Sequence, residues 1–510
     1  MAYPFAMAIY FSLSDYWVGS PGKFTGLQNF RDILGNEIFQ RTVYNSFVFT
    51  SIAVAFKTVL GIWLAMLLFR SFRFKRLIRG AVLLPWVIPT ALSTLAWVWM
   101  FDSLYSVVNW TAIRLGIMSP PGPNWLGMPN YAMTAVIAVN VWRGLPFFAI
   151  IVLAGLVSIP REYYEAAAVD GAGSWGRFTS SLRSPTRSAS TEATSVRARP
   201  SRSSSSRCWP PSCSSSSATS GRNEVDVGVR SRGARIRSAA FGYANVIPFI
   251  CFALFPFYYM VITSLKNDAE LYDLKAVPFL IQTGVITDHY RYLLAKTEFL
   301  TWMKNSFIIS VVSTSVSLVV SILAGYSLAR LRFRGVNAFG TAVFITYLVP
   351  PTLLFLPLSQ VVVWLGISDT IWALIVTYPT FLVPFSTWLL MGYFRTIPKE
   401  VEECALVDGA SRMQTLIRVV LPMAVPGVVC AALFGFTLTW NEFTYALTFI
   451  SQSANKTAVV GVTADLIRGD IYYWGSLMAG AILASLPIVV IYVFFLDYYV
   501  SGLTAGAVKG

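Results

Sequence analysis

Several stretches of this 510-residue chain run for about twenty positions with almost no charge, the length needed to cross the hydrocarbon layer of a bilayer. Such runs fall near 45–69, 81–101, 132–159, 244–263, 305–329, 339–365, 371–394, 424–449 and 475–500. The chain is 55% apolar and 12% charged, so little polar sequence is left over for a separate soluble domain. The expected fold class is all-α, a polytopic transmembrane helical bundle. Residues 1–13 are apolar but too short to cross unaided, and they lack a basic lead and a small-residue cleavage site. They are read as the outer part of a truncated first span, with the true start upstream. Arg70, Arg73, Lys75, Arg76 and Arg79 follow the run at 45–69 and are placed in the cytoplasm by the positive-inside rule. The loop holding Pro120, Pro121 and Pro123 is then external, and the run at 132–159 returns the chain to the cytoplasm.

A motif occurs there twice. Pro160, Glu162, Glu165, Ala167, Asp170, Gly171 and Ala172 match Pro398, Glu400, Glu403, Ala405, Asp408, Gly409 and Ala410 in register. Proline suits a first helical turn because it has no amide hydrogen to lose there, and the early glutamate favours the positive end of the helix dipole. Glu162 and Glu165 share a face at a spacing of three, and Gly171 is placed for a left-handed stop. Each copy predicts a helix, a tight turn and a second helix, attached to a membrane segment. Asn305-Ser306-Phe307 repeats Asn45-Ser46-Phe47, and Arg330, Arg332 and Arg334 repeat the inner basic cluster, so the two halves are paralogues.

These stretches resemble the cytoplasmic coupling loop of binding-protein-dependent ABC importers, specifically the maltose-transporter type of carbohydrate permease. Trp142-Arg143-Gly144-Leu145-Pro146-Phe147 before the first copy, Pro384-Phe385 at the same offset before the second, and Trp440-Asn441-Glu442-Phe443 after it belong to the same resemblance. It implies a plasma-membrane permease that moves a carbohydrate, a disaccharide or short oligosaccharide, delivered by an extracytoplasmic sugar-binding protein. Lipid surrounds it, and separate ABC ATPase subunits supply the hydrolysis, so the chain itself is not an enzyme. By motif, Glu165, Ala167, Asp170 and Gly171 would dock one ATPase, and Glu403, Ala405, Asp408 and Gly409 the other. Cys404 stands where the motif has its first alanine, still a small residue. Trp440 and Asn441 are candidate sugar contacts, with Trp142 and Arg143 as counterparts. An interfacial aromatic belt is the competing account of the tryptophans.

The pattern breaks after Phe178. From 180 to 220 there are 17 serines, 6 arginines and a single acidic residue, Glu192, with no apolar period. Such a composition cannot bury a core and predicts disorder. From 180 to 238, 11 arginines face 3 acidic residues, which is most of the net charge of +15. No aromatic interleaving or folded reader accompanies them, so nucleic acid is not an expected partner. The organisation is therefore 1–179, a first half of about four spans lacking its last two; 180–239, a linker or an out-of-frame translation; and 240–510, a second half of six spans.

The sequence also excludes several chemistries. No Gly-x-x-x-x-Gly-Lys-Ser/Thr is present, so the chain has no ATP-binding loop of that kind. The five cysteines have no metal or disulfide spacing and His289 is the lone histidine, so neither a metal nor a cofactor is expected. Lys57, mid-span, is assigned a structural role rather than a proton relay, and Pro85, Pro89, Pro350 and Pro351 are read as helix kinks. Two alternatives stay open. One is an ion-coupled secondary transporter, against which the scarcity of intramembrane carboxylates counts. The other is a non-transporting membrane protein, if the first half is defective.

Overall fold

The computed structural model describes residues 2–16, 22–69, 75–159, 162, 163, 166, 169, 232–468 and 471–505. The first half contributes α1 (Ala2–Ser12), α2 (Glu37–Phe69), α3 (Lys75–Val87), α4 (Thr90–Met100) and α5 (Pro129–Ser158). The second contributes α6 (Arg232–Leu265), α7 (Phe299–Arg330), α8 (Val336–Leu348), α9 (Pro351–Trp364), α10 (Ile371–Thr377), α11 (Pro379–Phe394), α12 (Lys399–Val407), α13 (Arg412–Thr415), α14 (Val425–Trp440) and α15 (Trp474–Ala505). The described strands are one antiparallel pair, Ile467–Arg468 with Ile471–Tyr472. Residues 180–220, with the disorder expected of them, lie outside the described residues.

Among the described residues, six spans are long and apolar enough to cross a membrane, and three bent pairs bring the number to nine. The fold class is the all-α bundle that the apolar runs predict. The bends go further than kinks. The run at 81–101 is two helices, α3 and α4, at 90°, and the run at 339–365 is α8 and α9 at 96°. Pro89 and Pro350 sit at these corners with ψ near +128° and +127°, outside the helical range, and neither has an N–H to continue the ladder. The run at 424–449 also differs from expectation. It is entered through a π-helical turn, Leu416–Val420, and a bend of 82°, and its helix ends at Trp440. A separate short helix covers Thr444–Phe449.

Small residues set the packing, as expected where lipid removes the hydrophobic drive between helices. In the second half α7 lies between α11 and α14. A Cβ on Gly325 would come within 3.2 Å of the Met391 backbone, and one on Gly435 within 2.9 Å of Thr314. In the first half α2 runs along α5 in the same way, with Ala53 against Ile137 and Val141 and Gly61 against Phe148. Residues 1–156 and 245–510 form one compact unit, and 157–244 a second. Within the first unit the halves share an aromatic core. Trp97, Trp99 and Trp142 join Tyr259, Trp302 and Trp474, with Trp99 and Trp474 ring centres 4.8 Å apart.

The segment after α6 is pinned by a buried ion pair, Lys266 Nζ to Glu270 Oε1 at 3.2 Å. Glu270 accepts the backbone N–H groups of Gln282 and Thr283, both at 3.0 Å, while Lys266 donates to the carbonyls of Val277 and Pro278. His289 is buried and bonds Lys266 O at 2.9 Å.

Candidate functional site

The second copy of the motif folds as its residues dictate. Pro398 caps α12, and Glu400 and Glu402 occupy its first turn. The helix stops at Gly409, whose φ of +85° is the left-handed conformation that favours glycine. A Cβ there would meet nothing within 4 Å, so conformation and not space selects the glycine. Gly409 N–H bonds Leu406 O at 3.1 Å and Ala410 N–H bonds Ala405 O at 3.0 Å, which satisfies the last carbonyls of the helix. α13 starts at once with a capping box. Ser411 Oγ accepts from Gln414 N at 3.3 Å, and Gln414 Oε1 accepts from Ser411 N at 2.8 Å.

This knob leaves Glu403, Cys404, Asp408 and Gly409 exposed and Ala405 half-buried. Val407 is 88% exposed and Met413 is also exposed, so the knob offers apolar as well as charged side chains. In the first copy Glu165, Ala167, Asp170 and Gly171 lie outside the described residues. Glu162, Tyr163, Ala166 and Val169 are helical and exposed there. Val169 and Val407, matched in the repeat, are both almost fully exposed.

Glu402 behaves differently from its neighbours. It is 4% exposed and points back into the bundle, where its Oε1 pairs with Arg330 Nε at 2.6 Å and its Oε2 accepts from Tyr326 OH at 3.2 Å. The sequence reading missed this residue because its helical register differs from that of the matched glutamates. A carboxylate one position before Glu403 lies about 100° round the helix from it, toward the protein.

The candidate sugar contacts separate into two kinds. Trp440 is 1% exposed and its Nε1 donates to Ala484 O at 3.0 Å, while Trp142, equally buried, donates to Ala253 O at 3.3 Å. Both rings are packed in the core. Asn441 and Arg143 instead converge on the corner between α3 and α4. Asn441 Nδ2, from the second half, donates to Val87 O at 3.4 Å, and Arg143 donates to Ile88 O at 3.2 Å. These two carbonyls belong to the broken turn and would otherwise be orphaned in a dry layer. The Arg143 guanidinium also lies 5.7 Å from the Trp86 ring centre, and Trp86 stacks on Phe147 at 4.4 Å. Asn441 Oδ1 is buried with no hydrogen-bond partner in the protein, an acceptor free for a hydroxyl or water. On the first half, Thr90, Asn140 and Arg143 contribute to the otherwise largely apolar and aromatic wall, with Trp97 and Trp142, of a cavity of about 290 Å³. Lys57 sits alongside, its Nζ donating to Asn140 Oδ1 at 2.7 Å across a helix face kept open by Gly144.

A second polar knot follows Trp440. Glu442 accepts from Tyr378 OH at 3.0 Å and from the backbone N–H groups of Tyr445 and Ala446 at 2.8 and 3.0 Å. It anchors the start of the helix Thr444–Phe449 and is fully engaged in doing so.

The family of binding-protein-dependent transport system inner membrane components matches this chain over residues 57–182 and 317–504. The inner membrane ABC transporter permease YcjP of Escherichia coli K12 is 36% identical over 270 residues, which is 52% of this chain and 95% of that protein. The trehalose/maltose transport system permease MalG of Thermococcus litoralis is 34% identical over 269 residues, again 52% of this chain and 95% of the relative. The diacetylchitobiose uptake system permease DasC of Streptomyces coelicolor is 31% identical over 271 residues, 52% of this chain and 97% of its own length. Each of these relatives has the length of about half of this chain.

Proposed function

This chain belongs to the binding-protein-dependent inner membrane transport components, and from that membership we propose that it is the permease of an ATP-driven carbohydrate importer. Two homologous halves, 1–179 and 240–510, are joined by 180–239. The matches at 57–182 and 317–504 support this division, the first being the shorter because the last two spans of that half are wanting. The cargo is a disaccharide or short oligosaccharide, in line with the trehalose, maltose and diacetylchitobiose named for the relatives. A sugar-binding protein delivers it from outside. ATP hydrolysis belongs to separate subunits.

The observation that carries this reading is the knob at 398–415. Its helix–Gly409–helix shape presents Val407 and Met413 to a cleft while Glu403 and Asp408 remain exposed to meet basic residues there. Glu403, Ala405, Asp408 and Gly409 dock one ATPase subunit, and Glu165, Ala167, Asp170 and Gly171 the other. In the pathway, Asn441 and Arg143 supply the polar contacts at the broken turn. Trp440 and Trp142 support them from behind, with their indole N–H groups already bonded.

Replacing Gly409 by Ala forces a side chain into the left-handed region at a cost of roughly 1 to 2 kcal/mol. Combined with Glu403→Ala, it is expected to leave the protein in the membrane and abolish ATP-driven uptake of a labelled disaccharide in vesicles. Full uptake by the double variant would sink the assignment.

A further inference from the structure

We propose that Arg330 and Glu402 are positioning residues that bind the second coupling helix to the end of α7, a link whose residues the sequence of the first half does not repeat. The proposal rests on the importer reading for its consequence but not for its geometry. Arg330 is the last residue of α7, and its guanidinium does two things at once. Nε pairs with Glu402 Oε1 at 2.6 Å, and the terminal nitrogen donates to Ile397 O, the residue just ahead of the α12 cap. Tyr326, one turn back on α7, holds the other carboxylate oxygen. Both charged side chains are almost completely buried, at 4% and 6% exposure. Arg412, from α13, also acts on Tyr326, so both helices of the knob reach the same point.

A buried pair of this kind holds its two elements together, because removing either partner strands the other charge in a poorly solvated place. The coupling helix therefore moves with α7 as one body. α7 is the helix on which α11 and α14 pack, so a push on the knob reaches the centre of the second half.

In sequence the link is one-sided. With Asn45 matched to Asn305 and Pro160 to Pro398, the positions equivalent to Tyr326, Arg330 and Glu402 are Met66, Arg70 and Tyr164. Arg70 keeps the cation, but Met66 has no hydroxyl and Tyr164 no carboxylate. The two coupling loops thus differ in sequence at this tie, the second carrying all three of its residues and the first only the cation.

The test uses the full-length chain in lipid vesicles. Spin labels are placed on the native Cys404 and on Lys304→Cys, near the far end of α7 and roughly 40 Å along it, with the remaining cysteines replaced by serine. The parent is expected to give one narrow distance distribution. Glu402→Gln is expected to widen it severalfold, and the exchange Arg330→Glu with Glu402→Arg to narrow it again. A control pair, Lys304→Cys with Arg395→Cys, is expected to stay narrow throughout. An unchanged Cys404 distribution in Glu402→Gln overturns the proposal, as does widening of the control pair, which would make the contact a general folding one. These distances need no ATPase, so they decide the link even if the importer reading fails. With ATPase subunits and binding protein added, labelled maltose taken up per ATP is expected to fall severalfold in Glu402→Gln and to stay unchanged in Tyr164→Phe. No ATP-driven uptake in the parent would refute the importer reading alone.

Discussion

Glu270 illustrates how a single side chain sets the condition under which a loop is held. Burial by itself raises a carboxyl pKa, but here the hydrogen bonds from the Thr283 side chain and backbone, Gln282 N–H and Lys266 outweigh it and bring the value down to about 2. A carboxylate depressed in the folded state stabilises the fold above its unfolded pKa, and that contribution is lost as pH falls through the folded value. The segment Asn267–Ile286 should therefore keep its hydrogen-exchange protection from neutral pH down to the ordinary glutamate value of 4.5, then lose it progressively toward about 2. Glu270→Gln should remove that dependence and lower the protection at pH 7. Gly461 makes a second residue-scale case. A Cβ there would fall 2.2 Å from the Trp302 ring, whose Nε1 is bonded to Ser453 O. Gly461→Ala should cost about 1–3 kcal/mol through overpacking and lower the melting temperature in detergent. Neither site was legible in the sequence. Glu270 and Gln282 are twelve residues apart, and no local pattern announces that one will bond the backbone of the other.

At the scale of the element, apolar length and proline placed the spans, and glycine placed the end of α12. Gly409 was expected as a left-handed stop from its counterpart in the first copy, and its φ of +85° has that form. What the pattern left out was the angle. Proline marks where a helix fails, but the 90° turn between α3 and α4 depends on groups that accept the freed carbonyls, and those come from Arg143 and Asn441. Arg143 lies 55 residues from its acceptor and Asn441 354 residues from its own, beyond the reach of any local spacing. Asn441→Leu should orphan Val87 O at a cost of about 1–3 kcal/mol. Asn441→Gln, whose amide can still reach, should recover part of it. The readout is thermal unfolding of the full chain in detergent. If both variants melt with the parent, the contact does not support the corner.

Across the whole molecule, the duplication was legible because Asn-Ser-Phe, the basic clusters and the Asp-Gly-Ala turns recur in order. The union of the halves was not. Trp142 reads equally well as a belt residue at a lipid interface, yet with Trp97 and Trp99 it is a core residue alongside Tyr259, Trp302 and Trp474. A tryptophan's amphipathic character suits either place, and only the tertiary neighbour decides. Because that shared core joins 1–156 with 245–510, chains 1–179 and 240–510 expressed as separate polypeptides should still co-purify from the membrane. Recovery of only the second half would mean that the covalent connection, not the aromatic interface, keeps the halves together.

The corner at Val87 and Ile88 has a further consequence for how such a molecule opens. Its two carbonyls are shared out between the halves, one to Asn441 of the second and one to Arg143 of the first. Any movement that parts the halves at this level strips Val87 O of its donor in the middle of a broken span. A bare acceptor there is disfavoured unless a solvent or cargo hydroxyl takes the place of the amide. Parting and wetting are thereby coupled, because a dry, open intermediate would carry the cost of an unpaired carbonyl, about 1–3 kcal/mol.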